Sequence, residues 1–207
     1  MTAALTAYHA GQGSEQDALT ALAASRLLVP VVAVLADGSA AEGDKNSEMV
    51  LPTLIGKDGR PAVLAFTGLD ALARWRPDAR PVPAKAGRVW RGAVADGCAV
   101  VIDVAGPVPL AVEGTRLAAL AAGRPVPPAH EDGDVRAEVE AAIAAEPAIA
   151  GFSLAPSHQV DLTVRLYLTA GDWRPAVDQA AQAIAGRLAV RLRRGIEFSL
   201  TRDPVGS

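Results

Sequence analysis

The sequence predicts an α+β protein of two lobes, and three observations carry that expectation. Val160, Leu162, Val164, Leu166 and Leu168 alternate strictly with Asp161, Thr163, Arg165, Tyr167 and Thr169, and Ile196, Phe198 and Leu200 do the same against Glu197, Ser199 and Thr201. Period-two alternation is the mark of a strand with one buried and one polar face. Between the two runs, Val177, Ala181, Ile184, Leu188 and Leu192 recur at helical spacing. Gly123 to Gly133 contains three prolines and no periodicity, the composition of a semi-rigid linker, and divides the chain into lobes at 14–122 and 134–203.

In chain order, residues 1–13 lack an apolar period and contain Gly11 and Gly13, which predicts a mobile tail. Ser14 with Asp17 three residues on resembles a capping box, and Leu19, Leu22 and Ala23 supply the stripe of a helix near 15–25. Leu28 to Leu35 is Val-rich and short, as expected of a strand buried on both faces. A polar loop, Asp37 to Ser47, precedes Met49 to Ile55, and Asp58-Gly59 then marks a hairpin into Ala62 to Phe66. Leu69 to Trp75 reads as a short helix, Pro77 to Pro83 as an extended connector and 84–95 as a second helix. Val100 to Val104 and Val108 to Val112 are predicted strands, and Glu113 to Ala121 is a helix ended by Gly123. Beyond the linker, Val135, Val139, Ala142 and Ile143 mark a helix starting after Asp134, and Phe152 to Ala155 a further strand, so the second lobe reads α-β-β-α-β with an antiparallel sheet.

The composition narrows the function classes. Hydrophobic residues make up 50% of the chain, but 44 of them are Ala, which buries little area, so the core is expected to be thin. The longest apolar run, Leu27 to Ala36, spans ten residues and is interrupted by Pro30, about half of what a membrane span needs. No basic region followed by an apolar run opens the chain, and the single Cys98 permits no internal disulfide, so a cytoplasmic protein without membrane contact is expected. Cys98 precedes an apolar run and is expected as a small buried hydrophobe.

No catalytic or metal-binding set emerges. Gly151-Phe152-Ser153-Leu154-Ala155 approaches a nucleophile elbow, but that motif needs a helix directly after the serine, and here Pro156, Ser157 and His158 lead to another strand. His9, His130 and His158 fall in the tail, the linker and a turn. The run His130 to Asp134 lacks the spaced carboxylates of a calcium loop and reads as linker plus helix cap. Neither Gly56-Lys57-Asp58-Gly59 nor Gly11-Gln12-Gly13 has the context of a phosphate loop, and no cofactor is expected.

Charge is more informative. Arg74, Arg76, Arg80, Lys85, Arg88 and Arg91 place six cations in 18 positions opposed only by Asp78, while the whole chain carries −3. At 100° per residue Lys85, Arg88 and Arg91 share one sector, opposite the apolar side of Ala86, Val89, Trp90, Ala93 and Val94. A solvated helix face accounts for this arrangement, and an anionic partner such as RNA or a ribosome is the alternative. Sequence-specific RNA reading by the second lobe is disfavoured, because its polar sheet face offers one aromatic, Tyr167.

Residues 19–125 resemble the N-terminal domain of the SseB family, named for enhanced serine sensitivity. The resemblance rests on Leu28-Val29-Pro30-Val31, on Lys45-Asn46-Ser47-Glu48-Met49 with Pro52, on Pro61 to Thr67 followed by Leu72 and Trp75, and on Ile102-Asp103-Val104 before Gly106-Pro107. Residues 134–202 resemble the family's C-terminal domain more loosely. The resemblance implies no established catalytic residue set, and therefore a non-catalytic binding or regulatory module, with an enzyme of unknown reaction as an alternative. A protein partner is expected at a patch formed by Lys45, Asn46, Ser47 and Glu48 with Thr67 and Trp75, since the stretch and Thr67 fall at the same end of the predicted hairpin and Trp supplies contact area with a polar handle.

Overall fold

The computed structural model describes residues 2–35, 47–50, 52–56, 59–107, 109–169 and 171–202. The chain begins with helices α1 (Thr2–His9) and α2 (Glu15–Ala23), followed by strands β1 (Arg26–Leu35), β2 (Ser47–Val50), β3 (Thr53–Ile55) and β4 (Pro61–Ala65). Helix α3 (Leu69–Trp75), strand β5 (Arg80–Lys85), helix α4 (Ala86–Ala95), strands β6 (Ala99–Ile102) and β7 (Leu110–Val112) and helix α5 (Gly114–Ala121) come next. The remainder is α6 (Gly133–Ile143), β8 (Ile149–Ala155), β9 (Leu162–Leu168), α7 (Arg174–Leu188) and β10 (Ile196–Arg202). This is an α+β protein. Among the described residues no helix is long and apolar enough to cross a membrane.

Two compact units emerge, one formed by Leu22–Pro125 and the other by Met1–Ala21 together with Val126–Ser207. In the first, β1 is the hub. Its residues 26–31 pair antiparallel with β5, residues 32–35 pair antiparallel with β2, and Leu28 exchanges two backbone hydrogen bonds with Phe66 just past β4. A second sheet runs β3-β4-β6-β7, with β4 and β6 parallel and the outer pairs antiparallel. Leu64, Phe66 and Val32 pack with Ala71 and Leu72 of α3, forming the core on one face. Pro77 to Pro83 is not merely a connector, because Arg80–Lys85 adds to β1 as a strand, and α4 consequently starts at Ala86. The β3–β4 hairpin is closed by Gly59, whose φ of 78° demands glycine, with the Gly56 N–H donating to the Arg60 carbonyl at 2.8 Å. Lys57 and Asp58 of that turn, and the polar loop over 36–46, lie outside the described residues.

In the second unit the sheet order is β10-β9-β8. The predicted element order is present, but the sheet is mixed. β8 and β9 are antiparallel, whereas β9 and β10 are parallel, because the 15-residue α7 carries the chain back to the starting edge as a crossover. The alternating residues Leu162, Val164, Leu166 and Leu168 pack with Val135 and Val139 of α6 and Val177, Ile184 and Leu188 of α7. Asp132 caps α6 by accepting the Asp134 N–H at 2.8 Å. Ser14 forms the anticipated capping pair, its hydroxyl meeting Asp17 at 2.7 Å and accepting the Asp17 N–H at 3.1 Å.

Residues 1–13 differ most from expectation. α1 buries Leu5 and Tyr8, the Tyr8 hydroxyl donates to the Val190 carbonyl at 2.8 Å, and Gly11 takes a φ of 69° where a Cβ would lie 3.1 Å from the Arg193 carbonyl oxygen. Two glycines that read as tail are thus the close turn joining two docked helices. The expected linker is likewise packed, with Val126 buried, a 3-10 turn at Ala129–Glu131 and Asp132 only 1% exposed.

Candidate functional site

α4 buries Ala86, Val89, Trp90 and Ala93, whereas Val94, expected on the same side, is exposed. The β1–β5 register sets Arg26 opposite Lys85, Leu27 opposite Ala84 and Val29 opposite Val82. Residues two apart on a strand share a face, so Val29 and Val31 stand with Val82 and Ala84 on one side of this pair. Between that side and α4 lies a groove of about 920 Å³. Its floor is aliphatic, made by Val29, Val31, Val63, Val82, Val89 and Ala93, and among the described residues no Phe, Tyr or Trp lines it.

The rim is cationic. Among the described residues, Arg26, Lys85, Arg88 and Arg91 line the groove together with a single acid, Asp96. All four cations are exposed, and among the described residues none makes an ion pair. Gly92, also at the rim, leaves open space where a Cβ would stand. Uncompensated cations beside half-buried aliphatic side chains form an environment for a ligand with an anionic end and an apolar body.

The structure divides the six-residue basic segment. Lys85, Arg88 and Arg91 come together at the groove, while Arg74, Arg76 and Arg80 do not line it. Arg76 forms a bidentate pair with Asp78, at 3.1 and 2.8 Å. Arg26 joins the rim through strand pairing with Lys85, and sequence spacing could not have found it, because 59 positions separate the two.

The expected recognition patch is distributed differently. Lys45 and Asn46 lie outside the described residues, and Ser47 and Glu48 open β2 as backbone paired with Leu35 and Val34. Thr67 is held by Asp103, which accepts the Thr67 N–H at 2.9 Å and its hydroxyl at 2.6 Å. Asp103 itself sits at φ 50°, an unusual backbone for a non-glycine residue. Trp75 packs on Phe66 with ring centroids 5.5 Å apart.

The second unit holds a smaller polar cavity of about 250 Å³. Arg191 reaches Glu15 at 3.2 Å and Asp132 at 2.6 Å there, and Asp161 accepts the Arg194 N–H at 2.8 Å. Burial works against the Arg191 charge, but Glu15 and Asp132 outweigh it and raise its affinity for the proton. Burial also pushes the Asp161 carboxyl up, against the Arg194 N–H and guanidinium. Ser153 lies in β8 opposite Arg165, its hydroxyl 3.0 Å from that of Tyr167, and β8 continues to Ala155 without turning into a helix. Cys98 is half-buried rather than buried, its thiol 3.5 Å from the Asp96 carbonyl oxygen. Among the described residues no group of three His, Cys, Asp or Glu side chains could hold a metal ion.

A family model described as SseB protein N-terminal domain matches residues 1–119. No curated protein and no solved structure matches the chain.

Proposed function

We propose, from the premise that this chain belongs to the SseB family, that it is a non-catalytic binding module whose working site is the groove between α4 and the β1–β5 pair. The observation that carries this reading is the set of four exposed cations, Arg26, Lys85, Arg88 and Arg91, around an aliphatic floor. A purely solvated helix face would account for Lys85, Arg88 and Arg91, but it would not require a cation from β1 across the groove. The partner is anionic. RNA is the weaker form of this reading, because single strands gain affinity by stacking bases on aromatic rings and, among the described residues, the groove has none. The protein-binding patch around Thr67 and Trp75 gains no support from those two residues, since each has an intramolecular role.

The first prediction tests the groove. Poly-glutamate should bind the full chain with an affinity that falls as salt screens the exposed cations. Replacing Lys85, Arg88 and Arg91 together by Gln should weaken binding at low salt by about 10- to 100-fold, taking roughly 0.5–1 kcal/mol for each exposed contact. The melting temperature should hold, because none of the three makes an ion pair among the described residues. Arg74→Gln with Arg76→Gln serves as the control outside the groove and should leave binding unchanged. Equal loss in both variants would reduce the groove to general surface charge.

A further inference from the structure

We propose that the groove accepts a long aliphatic chain ending in an anionic group, of which an alkyl carboxylate is the simplest example. The inference rests on the groove being the working site and concerns which anion fits it. Its floor consists of valine and alanine side chains with no polar side chain among them, and the cations stand at the rim. A ligand complementary to that distribution is apolar along its body and charged at one end.

The backbone beside the groove argues against a peptide strand. Leu28 directs its N–H and C=O to Phe66, each bond 2.8 Å, and so turns them away from β5. Its partner across the pair is Pro83, and in an antiparallel pair the two residues of a non-hydrogen-bonded position both point outward. Pro83 and, two residues away, Pro81 therefore occupy outward positions of this edge, where they have no N–H to donate. An added strand would lack those ladder bonds, and an extended peptide laid over the floor would bury amides opposite aliphatic side chains. A methylene chain has no such groups to satisfy. The volume, about 920 Å³, lies within the span of small-molecule sites.

Isothermal titration calorimetry of the full chain with octanoate, decanoate and dodecanoate below their micellar concentrations tests the proposal. Affinity should rise by about four-fold for each methylene buried. Dodecyltrimethylammonium should bind at least ten-fold more weakly than dodecanoate, and the Lys85, Arg88, Arg91 to Gln variant should lose that discrimination while keeping the chain-length dependence. Val82→Asp, at a half-exposed position of the floor, should abolish dodecanoate binding with the fold intact. Affinity independent of chain length, or equal binding of the cationic amphiphile by the unaltered protein, overturns the proposal. Poly-glutamate binding that depends on the three cations, without any carboxylate binding, overturns this inference and leaves the proposed function standing. Loss of both removes both. Capture of an acidic helical peptide or an RNA oligomer in place of the carboxylates likewise overturns it.

Discussion

Arg191 holds together residues that are far apart in the chain. Its guanidinium meets Glu15, near the start of α2, and Asp132, the cap of α6, and both carboxylates are buried. A largely buried cation between two buried acids has its desolvation offset only when each charge is met, so removing one member costs more than the pair contributes by its presence. Asp161 illustrates the opposite balance. Burial raises its carboxyl above the ordinary value of 3.8, with the Arg194 backbone and side chain opposing the shift. As pH rises from 3.8 toward the raised value, the unfolded chain releases a proton that the folded chain retains, so this residue lowers stability through that window and above it. Asp161→Asn keeps an oxygen to accept the Arg194 N–H without the charge. Its melting temperature, compared with that of the unaltered protein, should show no gain below pH 3.8 and a growing gain as pH rises through the window. A difference constant from pH 3 to 7 would place the effect elsewhere.

Among the elements, β5 has two roles. It supplies Val82 and Ala84 to the lining of the groove, and its prolines remove donors from an edge that would otherwise invite pairing with another chain. Pro83→Val restores an outward N–H, and sedimentation should then reveal stronger concentration-dependent self-association than the unaltered protein shows. An unchanged monomer–oligomer profile would mean that something other than the missing donor protects this edge. The prolines also explain why the sequence of this strand resembles a connector, since proline is rare in strands except at edges and only pairing reveals an edge. α4 was legible because its apolar and cationic sectors repeat at helical spacing, but its face could not be matched to a groove until β1 and β5 lay beside it. The parallel pairing of β9 and β10 was similarly hidden, because alternation reports which face is buried and says nothing about strand direction.

For the whole molecule, the discontinuous second unit has the largest consequence. The family match covers residues 1–119, yet Met1–Ala21 belongs with Val126–Ser207 rather than with Leu22–Pro125. Tyr8, Glu15 and Gln16 reach Val190, Arg191 and Val126 respectively. Deleting residues 1–21 should therefore expose amides of 126–202 to hydrogen exchange while those of 22–125 keep their protection. A synthetic peptide of residues 1–21 added in trans should restore part of it. Uniform loss across the chain, or no loss at all, would contradict the division.

Much of the architecture was determined by the sequence alone. The strands Leu162–Leu168 and Ile196–Arg202, helix α7, the Ser14–Asp17 cap and the α+β class follow from local periodicity and short-range hydrogen bonding, which act between residues a few positions apart, although Leu200 is exposed and Leu192 lies beyond the end of α7. What tertiary structure decided is everything that depends on distant partners: the docking of α1, the parallel β9–β10 pair and the meeting of Arg26 with Lys85, Arg88 and Arg91. The physical reason is that a side chain's neighbours in sequence set its local conformation, whereas its neighbours in space, which set charge complementarity and burial, come from strand register and helix packing.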